Sequence, residues 1–288
     1  MRVLARVSRL HIVAIGALGT LTFGWVMFGD RPWIAAGLSA LDWFLVNILN
    51  RVVDLREDRA NGIVGTDFVA KNRRAILVVG FGLLAVSGVA SALWSLPLTA
   101  CRAAFHTLGF AYNWRLLPGG RRIKQLYFWK NTASAVGFLL TVFCYPLALG
   151  LSSHRSLLLP ATGLAISAVF FFLFELSYEV LYDLRDAPGD KLADVRTYPV
   201  VHGERAAMRI VDGLVLVASS LLVAGYAAGQ VPWRVVVMIL APAIQLAYYK
   251  AVVRVRPISA DDCIRLTWAG AGMLGAYHGW IALGLPGV

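Results

Sequence analysis

Charge is scarce in this sequence. Asp, Glu, Lys and Arg together make up 15% of its 288 residues, where a water-soluble domain carries about a quarter. Beside 59% hydrophobic residues, that shortage excludes a water-soluble fold, because no core of this size hides so much apolar surface. Cysteine is scarce too. Cys101, Cys144 and Cys263 lie far apart, in or beside apolar blocks and without CxxC spacing, which argues against a disulfide framework and against a thiolate metal site. No small-residue cleavage site follows Trp25-Val26-Met27-Phe28. The apolar run behind Arg2, Arg6 and Arg9 therefore reads as a retained first helix rather than a signal peptide.

What the sequence has in their place is apolar blocks of spanning length. Spans are expected near 11–29, 33–50, 75–95, 98–113, 129–150, 157–182, 207–228, 233–252 and 264–285. The chain is thus expected to be an all-α, polytopic membrane protein of nine transmembrane helices, a single domain over 1–288. Pro32, Pro97 and Pro232 stand at span starts, where a missing N–H costs nothing.

A net charge of +11 invites a nucleic-acid reading, but the placement of the charge argues for a bilayer and no nucleic acid. Arg31, Arg155 and Arg234 occupy one set of alternate gaps and Arg102 lies within a span. All the others of the 27 Lys and Arg fall in the other set of gaps, which the positive-inside rule makes cytoplasmic. The N-terminus is then cytoplasmic and the C-terminus outside. The cytoplasmic gaps are also the long ones, so the chemistry is expected at that face.

Two acidic patterns sit there. The second span ends in Asn47-Ile-Leu-Asn50-Arg-Val-Val-Asp54-Leu-Arg-Glu-Asp58, whose polar positions are three, four and four apart and so share one helix face. The sixth span ends in Glu175, Glu179, Asp183, Asp186 and Asp190, again on one face. Carboxylates stacked this closely repel one another unless a cation lies between them. Mg²⁺ takes one or two carboxylates plus substrate phosphates, and acids at membrane depth are costly and usually functional. Between the patterns, Arg115, Arg121, Arg122 and Lys124 follow the fourth span, and Lys130 and Asn131 open the fifth. Lys191, Arg196 and Thr197 follow the second pattern. Guanidinium and ammonium groups of this kind bind phosphate oxygens. Each set of four spans carries one acidic pattern on its second helix, which suggests two parallel halves, helices 1–4 and 5–8, plus helix 9.

These residues resemble the UbiA superfamily of intramembrane prenyltransferases. Asn50-Arg-Val-Val-Asp54-Leu-Arg-Glu-Asp58 fits that family's NxxxDxxxD motif. Asp183-Leu-Arg-Asp186-Ala-Pro-Gly-Asp190, with Arg196-Thr197-Tyr198-Pro199 and Gly203 after it, resembles its DxxDxxxD motif and downstream run. Tyr112 and Arg122-Ile-Lys124, leading to Lys130-Asn131, resemble the intervening tyrosine–basic loop. The resemblance implies nine helices around a central cavity that opens to the membrane. It implies two Mg²⁺ ions, one on Asp54 and Asp58 and one on Asp183, Asp186 and Asp190, holding a prenyl diphosphate. Asn50 would orient the first set, while Lys124, Arg122 and Lys191 would stabilise the leaving diphosphate. Asn47, Tyr112, Arg115, Asn131, Glu179 and Arg196 complete the expected diphosphate and acceptor site. Phe170, Phe171, Phe172, Phe174 and Tyr178 are candidates to face an allylic cation.

The sequence departs from the family in three places. Leu116 stands four residues after Tyr112 where the family often has Lys, which leaves Arg115 or Lys124 for that role. Lys71-Asn-Arg-Arg74 replaces an Arg-Pro pair common in members acting on 4-hydroxybenzoate-like acceptors. Asp194 is an extra acid. The expected function is prenyl transfer to a small aromatic acceptor. A membrane terpene cyclase using the same site is the alternative. A transporter would place its acids nearer mid-bilayer, and a head-group transferase would need an Asp-Gly followed by Ala-Arg, which is missing. His106 and His278 are expected to pack or to line the acceptor pocket, and Asp42, inside span two, to face the cavity or find a polar partner.

Overall fold

The computed structural model describes residues 7–60, 63–192 and 195–284, without the side chains of Ala60 and Leu192. Arg2, Arg6 and Asp194 lie outside the described residues. Helices dominate: α1 (Leu10–Phe28), α2 (Trp33–Val53), α3 (Leu55–Ala60), α4 (Thr66–Lys71), α5 (Arg73–Trp94) and α6 (Leu96–Asn113). After them come α7 (Tyr127–Ser152), α8 (Ala161–Leu192), α9 (Tyr198–His202), α10 (Glu204–Ala227), α11 (Trp233–Val253) and α12 (Ala260–Ala282). No strand occurs among the described residues, only an isolated bridge between Leu117 and Arg121.

Seven of these helices (α1, α2, α5, α7, α8, α10 and α11) are long and apolar enough to cross a membrane. α6 and α12 fall on the two other expected spans. α6 has 18 residues and carries Arg102, and α12 opens with Asp261, Asp262 and Arg265. The polar starts are built as caps. The Ser95 hydroxyl accepts from the Leu98 N–H at α6, and Ser259 and Asp262 form a reciprocal capping box at α12. α8 runs ten residues further than the expected span, through Pro188. Pro188 has no N–H to donate to the preceding turn, which frees a carbonyl there. α7 contains a π turn at Leu140–Cys144, just before Pro146.

The long helices close into a ring, with α12 packed on α1. Inside it lies an apolar cavity of about 530 Å³, lined from α1, α2, α3, α6, α7, α8, α11 and α12. α5 and α10 contribute no lining residue. They stand outside the ring, α5 against α2 and α6, and α10 against α8. Their outer faces carry exposed Val78, Val86, Leu93 and Leu216, an apolar surface suited to lipid.

One ion pair lies wholly inside the bundle. Asp42 is 0% exposed and Arg102 3%. The guanidinium donates to both Asp42 oxygens, at 2.8 and 2.7 Å, and to the carbonyl and hydroxyl of Ser87 at 2.6 and 2.8 Å. Tyr145 donates its hydroxyl to Asp42 at 2.8 Å. His106 Nε2 stands 3.0 Å from Asp42 without hydrogen-bond alignment. Asp42 therefore finds a polar partner and does not line the cavity, and His106 packs beside that pair. His278 is likewise engaged, its Nε2 3.1 Å from the Thr22 hydroxyl.

Candidate active site

α2 carries the first motif to the rim of the cavity. Asn50 pins α2 to α6: its amide N–H donates to the Gly109 carbonyl, and its oxygen accepts from the Trp114 indole, both at 3.1 Å. The approach needs glycine, because a Cβ at Gly109 would stand 2.9 Å from a Val46 methyl. Asp54 caps α2 and accepts from Lys124 Nζ at 3.0 Å, with Arg122 at 3.4 Å. Glu57 in α3 takes the same two cations, each at 2.7 Å. Asp58 accepts from Arg51 Nε at 3.1 Å. Arg51 is itself buried and donates to the carbonyls of Val7 and Val64.

The second motif is held from the other side of the same loop. Lys130 Nζ bridges Asp183 at 2.7 Å and Asp190 at 3.1 Å, and Asn131 donates to the other Asp183 oxygen at 2.8 Å. One short segment, Arg122 to Asn131, thus joins both aspartate motifs. Asp186 pairs instead with its neighbour Arg185, whose guanidinium lies over the Tyr182 ring, 4.6 Å from its centroid. A turn above Asp183, Glu179 accepts from the Ser134 hydroxyl at 2.7 Å.

Charge balance tunes the first motif. Burial pushes the Asp54 carboxyl above the ordinary aspartate range, and Lys124 only partly offsets it. Burial also opposes charge on Glu57, but there the bonds from Lys124 and Arg122 win and hold its carboxyl below the usual glutamate range.

Cavity-lining side chains include Asn47, Asn50, Asp54, Asp58, Tyr112 and Glu179 of the expected site. Phe170, Phe171, Phe174 and Tyr178 line it as well, whereas Phe172 does not. Lys124, Arg122, Asn131, Asp183 and Asp190 are joined to one another or to the motifs by the bonds above. Arg115, Lys191 and Arg196 are exposed and form no ion pair among the described residues. From the sequence, Lys130 is expected among the phosphate-binding cations and Glu175 in the acidic ladder, but neither in the site itself, and Arg51 and Glu57 are not singled out.

Among the described residues no three His, Cys, Asp or Glu side chains converge as a metal cage. The donor set nevertheless suits Mg²⁺, which asks for one or two carboxylates and takes its other oxygens from phosphate and water. The Lys130 ammonium, shared by Asp183 and Asp190, occupies just such a two-carboxylate cation site.

The UbiA prenyltransferase family model matches residues 45–271. A UbiA homolog from Archaeoglobus fulgidus bound to GPP and Mg²⁺ has a similar structure, with TM-score 0.72 and 15% identity over 96% of this chain and 97% of that one. The apo UbiA homolog from Aeropyrum pernix K1 is similar at TM-score 0.67 and 15% identity, over 94% of this chain and 97% of that one. A structure from work on digeranylgeranylglyceryl phosphate synthase in membranes reaches TM-score 0.52 at 15% identity, over 98% and 95%. No curated protein matches the chain.

Proposed function

Because the chain belongs to the UbiA prenyltransferase family, we propose that it moves a prenyl group from a prenyl diphosphate to a small acceptor and releases diphosphate. The observation that carries this is the single basic segment from Arg122 to Asn131, which holds both aspartate motifs at one end of an apolar cavity. Such a site has hard-oxygen ligands and phosphate-binding cations at its rim and room for a hydrocarbon within. The Archaeoglobus fulgidus homolog, with GPP or DMAPP and Mg²⁺ bound, supports the same assignment here.

Asp54 and Asp58 would hold one Mg²⁺, and Asp183, Asp186 and Asp190 a second. Bound Mg²⁺ supplies Lewis-acid neutralisation of the charge that grows on the departing diphosphate. Asn50, tied to Gly109 and Trp114, keeps the end of α2 in place. Lys124, Arg122 and Lys130 lie against these carboxylates and are freed to donate to phosphate oxygens once the acids are otherwise neutralised. Phe170, Phe171, Phe174 and Tyr178 present ring faces and edges to the cavity, excluding water and favouring a transient allylic cation. Each acidic motif stands on the second helix of a four-helix set, and the third helix of each set, α5 or α10, stands outside the ring. Both regularities support two parallel halves. The site opens to the cytoplasmic face.

The direct test incubates membranes containing the protein with labelled prenyl diphosphates of several lengths, with and without acceptors. Acceptor-dependent release of diphosphate with a prenylated product is expected. Hydrocarbon formed without acceptor would make the protein a cyclase, and no Mg²⁺-dependent turnover of any donor would overturn the site.

The raised Asp54 carboxyl gives a pH signature. In the metal-free protein its proton is held more tightly than in the unfolded chain, so its ionisation subtracts stability as pH rises through the folded value. Mg²⁺ must displace that proton. Mg²⁺ affinity should therefore fall as pH is lowered, starting at a higher pH than an ordinary aspartate, near about 3.9, would give. Titration of Mg²⁺ binding against pH checks this, and a fall confined to pH below about 4 would contradict it.

A further inference from the structure

The outer face of α6 differs from those of α5 and α10. α5 exposes Val78, Val79, Phe81, Val86, Val89 and Leu93, and α10 exposes Leu216, Val217 and Val223. Beyond Leu96, the exposed residues of α6 are Pro97, Ala100, Ala103, Ala104 and Thr107, none of them a large apolar side chain. Small residues on a membrane helix let another helix backbone approach closely. Between α5 and α6 this face is recessed into a groove of about 630 Å³, which shares no lining residue with the central cavity. Along its α6 wall stand Thr99, Ala103, Thr107 and Ala111, one every four residues, a stripe roughly 18 Å long at the helical rise. α5 adds Gly88 and Ser91. A Cβ at Gly88 would meet nothing within 4 Å. The chain's own packing therefore does not require glycine there, although glycine inside a helix costs stability relative to alanine.

Two polar groups in the groove lack partners. His106 is 7% exposed and lines the groove, and its Nδ1 has no hydrogen-bond partner. Its Nε2 is turned to Asp42 at 3.0 Å, and with the proton on that nitrogen Nδ1 is an acceptor. The neighbouring Thr107 is exposed, and its hydroxyl has no hydrogen-bond partner among the described residues. Thr107 stands six residues before Asn113, the last residue of α6, so it lies roughly 9 Å inside the nearer end of the helix. Water does not supply partners within the hydrocarbon, a lipid acyl chain has none to offer, and head groups stay nearer the surface. One helix face thus carries an unfilled acceptor and an unfilled donor side by side. A second α6, lying parallel to the first, brings the complement of both, so that Thr107 of each copy donates to His106 of the other. That reciprocity is what an interface with two-fold symmetry demands.

We infer that the groove between α5 and α6 is the surface on which two copies of this chain pair in the membrane, α6 against α6. The small stripe sets the close approach, and the Thr107–His106 bonds fix which turns of the two helices meet. Pairing here does not depend on what the active site transfers.

The test places the full chain, with a single fluorophore on each copy, at low density in phosphatidylcholine vesicles and counts photobleaching steps. Wild-type spots are expected to bleach in paired steps. Thr107→Leu fills the groove and removes the hydroxyl, and its spots should bleach in single steps while helical content and the thermal transition stay those of the wild type. Oxidation of membranes containing Ala103→Cys should give a covalent dimer. Leu216→Cys, on the outer face of α10, should give none beyond the background of the native cysteines, read from wild-type chain treated alike. Single steps in the wild type overturn the inference, and a lipid retained by such monomers would be the groove's occupant instead. Pairs that persist in Thr107→Leu overturn it too, as does cross-linking no stronger at Ala103→Cys than at Leu216→Cys. Should Thr107→Leu fail to fold, the cross-linking comparison decides alone.

Discussion

Asp54→Asn is expected to leave a folded protein that releases diphosphate from a prenyl diphosphate about a thousandfold more slowly than the unaltered chain. Removing a single preorganised stabilising group from a developing anion costs about 10²–10³ in rate, and this change also removes charge from a metal-binding set. Folding should survive. The Asp54 backbone N–H, which closes the last turn of α2 on the Asn50 carbonyl at 3.2 Å, is untouched. Burial already makes the ionised side chain costly, and Lys124 keeps Glu57 as a partner. Glu57→Gln is the control. Glu57 binds the same Lys124 and Arg122 but is half exposed and outside the motif, so its loss should lower the rate less than about tenfold, as for an exposed ion pair. Asp186→Ala should behave like Asp54→Asn if its carboxylate turns from Arg185 to the metal. Mg²⁺-dependent release of labelled diphosphate, normalised to folded protein, is the measurement. Full activity in Asp54→Asn would sink the proposed site. Equal losses in Asp54→Asn and Glu57→Gln would reassign the effect to anchoring of the basic loop.

The sequence made the helices and the motif-bearing ends readable for a simple reason. Blocks of apolar residues can satisfy their backbone in a bilayer only as helices, and spacings of three and four put Asn47, Asn50, Asp54 and Asp58 on one face whatever the tertiary fold. The order of the helices around the cavity was not readable. In water an amphipathic stripe marks the inward face. In a bilayer, lipid and core are equally apolar, so α5 and α10 look no different in sequence from the helices that line the cavity. Asp42 and Arg102 illustrate the same loss, because nothing local tells that residues 60 positions apart complete one another.

The site was legible to the same depth. Asp54 with Lys124, and Asp183 with Asn131, join residues singled out from their spacing and charge. The bridge from Lys130 to both Asp183 and Asp190 could not be read, because a lysine at a helix start also serves topology. Arg115, Lys191 and Arg196 carry the right charge but point into solvent, where positive residues satisfy the inside rule without touching the aspartates. Glu175 stands in the acidic ladder by spacing. Only its bonding distinguishes it from Glu179, since Ser134 donates to Glu179 whereas Glu175 has no hydrogen-bond partner among the described residues.

Asp42→Ala should destabilise the protein by about 3–5 kcal/mol, the cost of leaving a buried charge without its partner. Arg102 would keep its bonds to Ser87 and Ser91, but these are neutral acceptors, and a guanidinium only 3% exposed gains little solvation to replace the lost carboxylate. The Tyr145 hydroxyl would lose its acceptor too. Arg102→Met alone should cost a similar amount for the mirror reason, since Asp42 would keep only Tyr145 and the unaligned His106. The double variant Asp42→Leu with Arg102→Met should be less destabilised than the sum of the single changes, because removing both charges together strands neither. Denaturation of the detergent-solubilised protein reads all three, and strict additivity would mean the pair contributes nothing as a pair. Catalysis supplies a second readout. Asp42 and Arg102 lie outside the cavity lining, so the rate per folded molecule should stay within about twofold, the scatter expected for a change whose cost lies in unfolding rather than at the reacting atoms. If the rate collapses while the fold holds, the buried pair would instead set the spacing of α2 and α6 on which Asn50 and Asp54 depend.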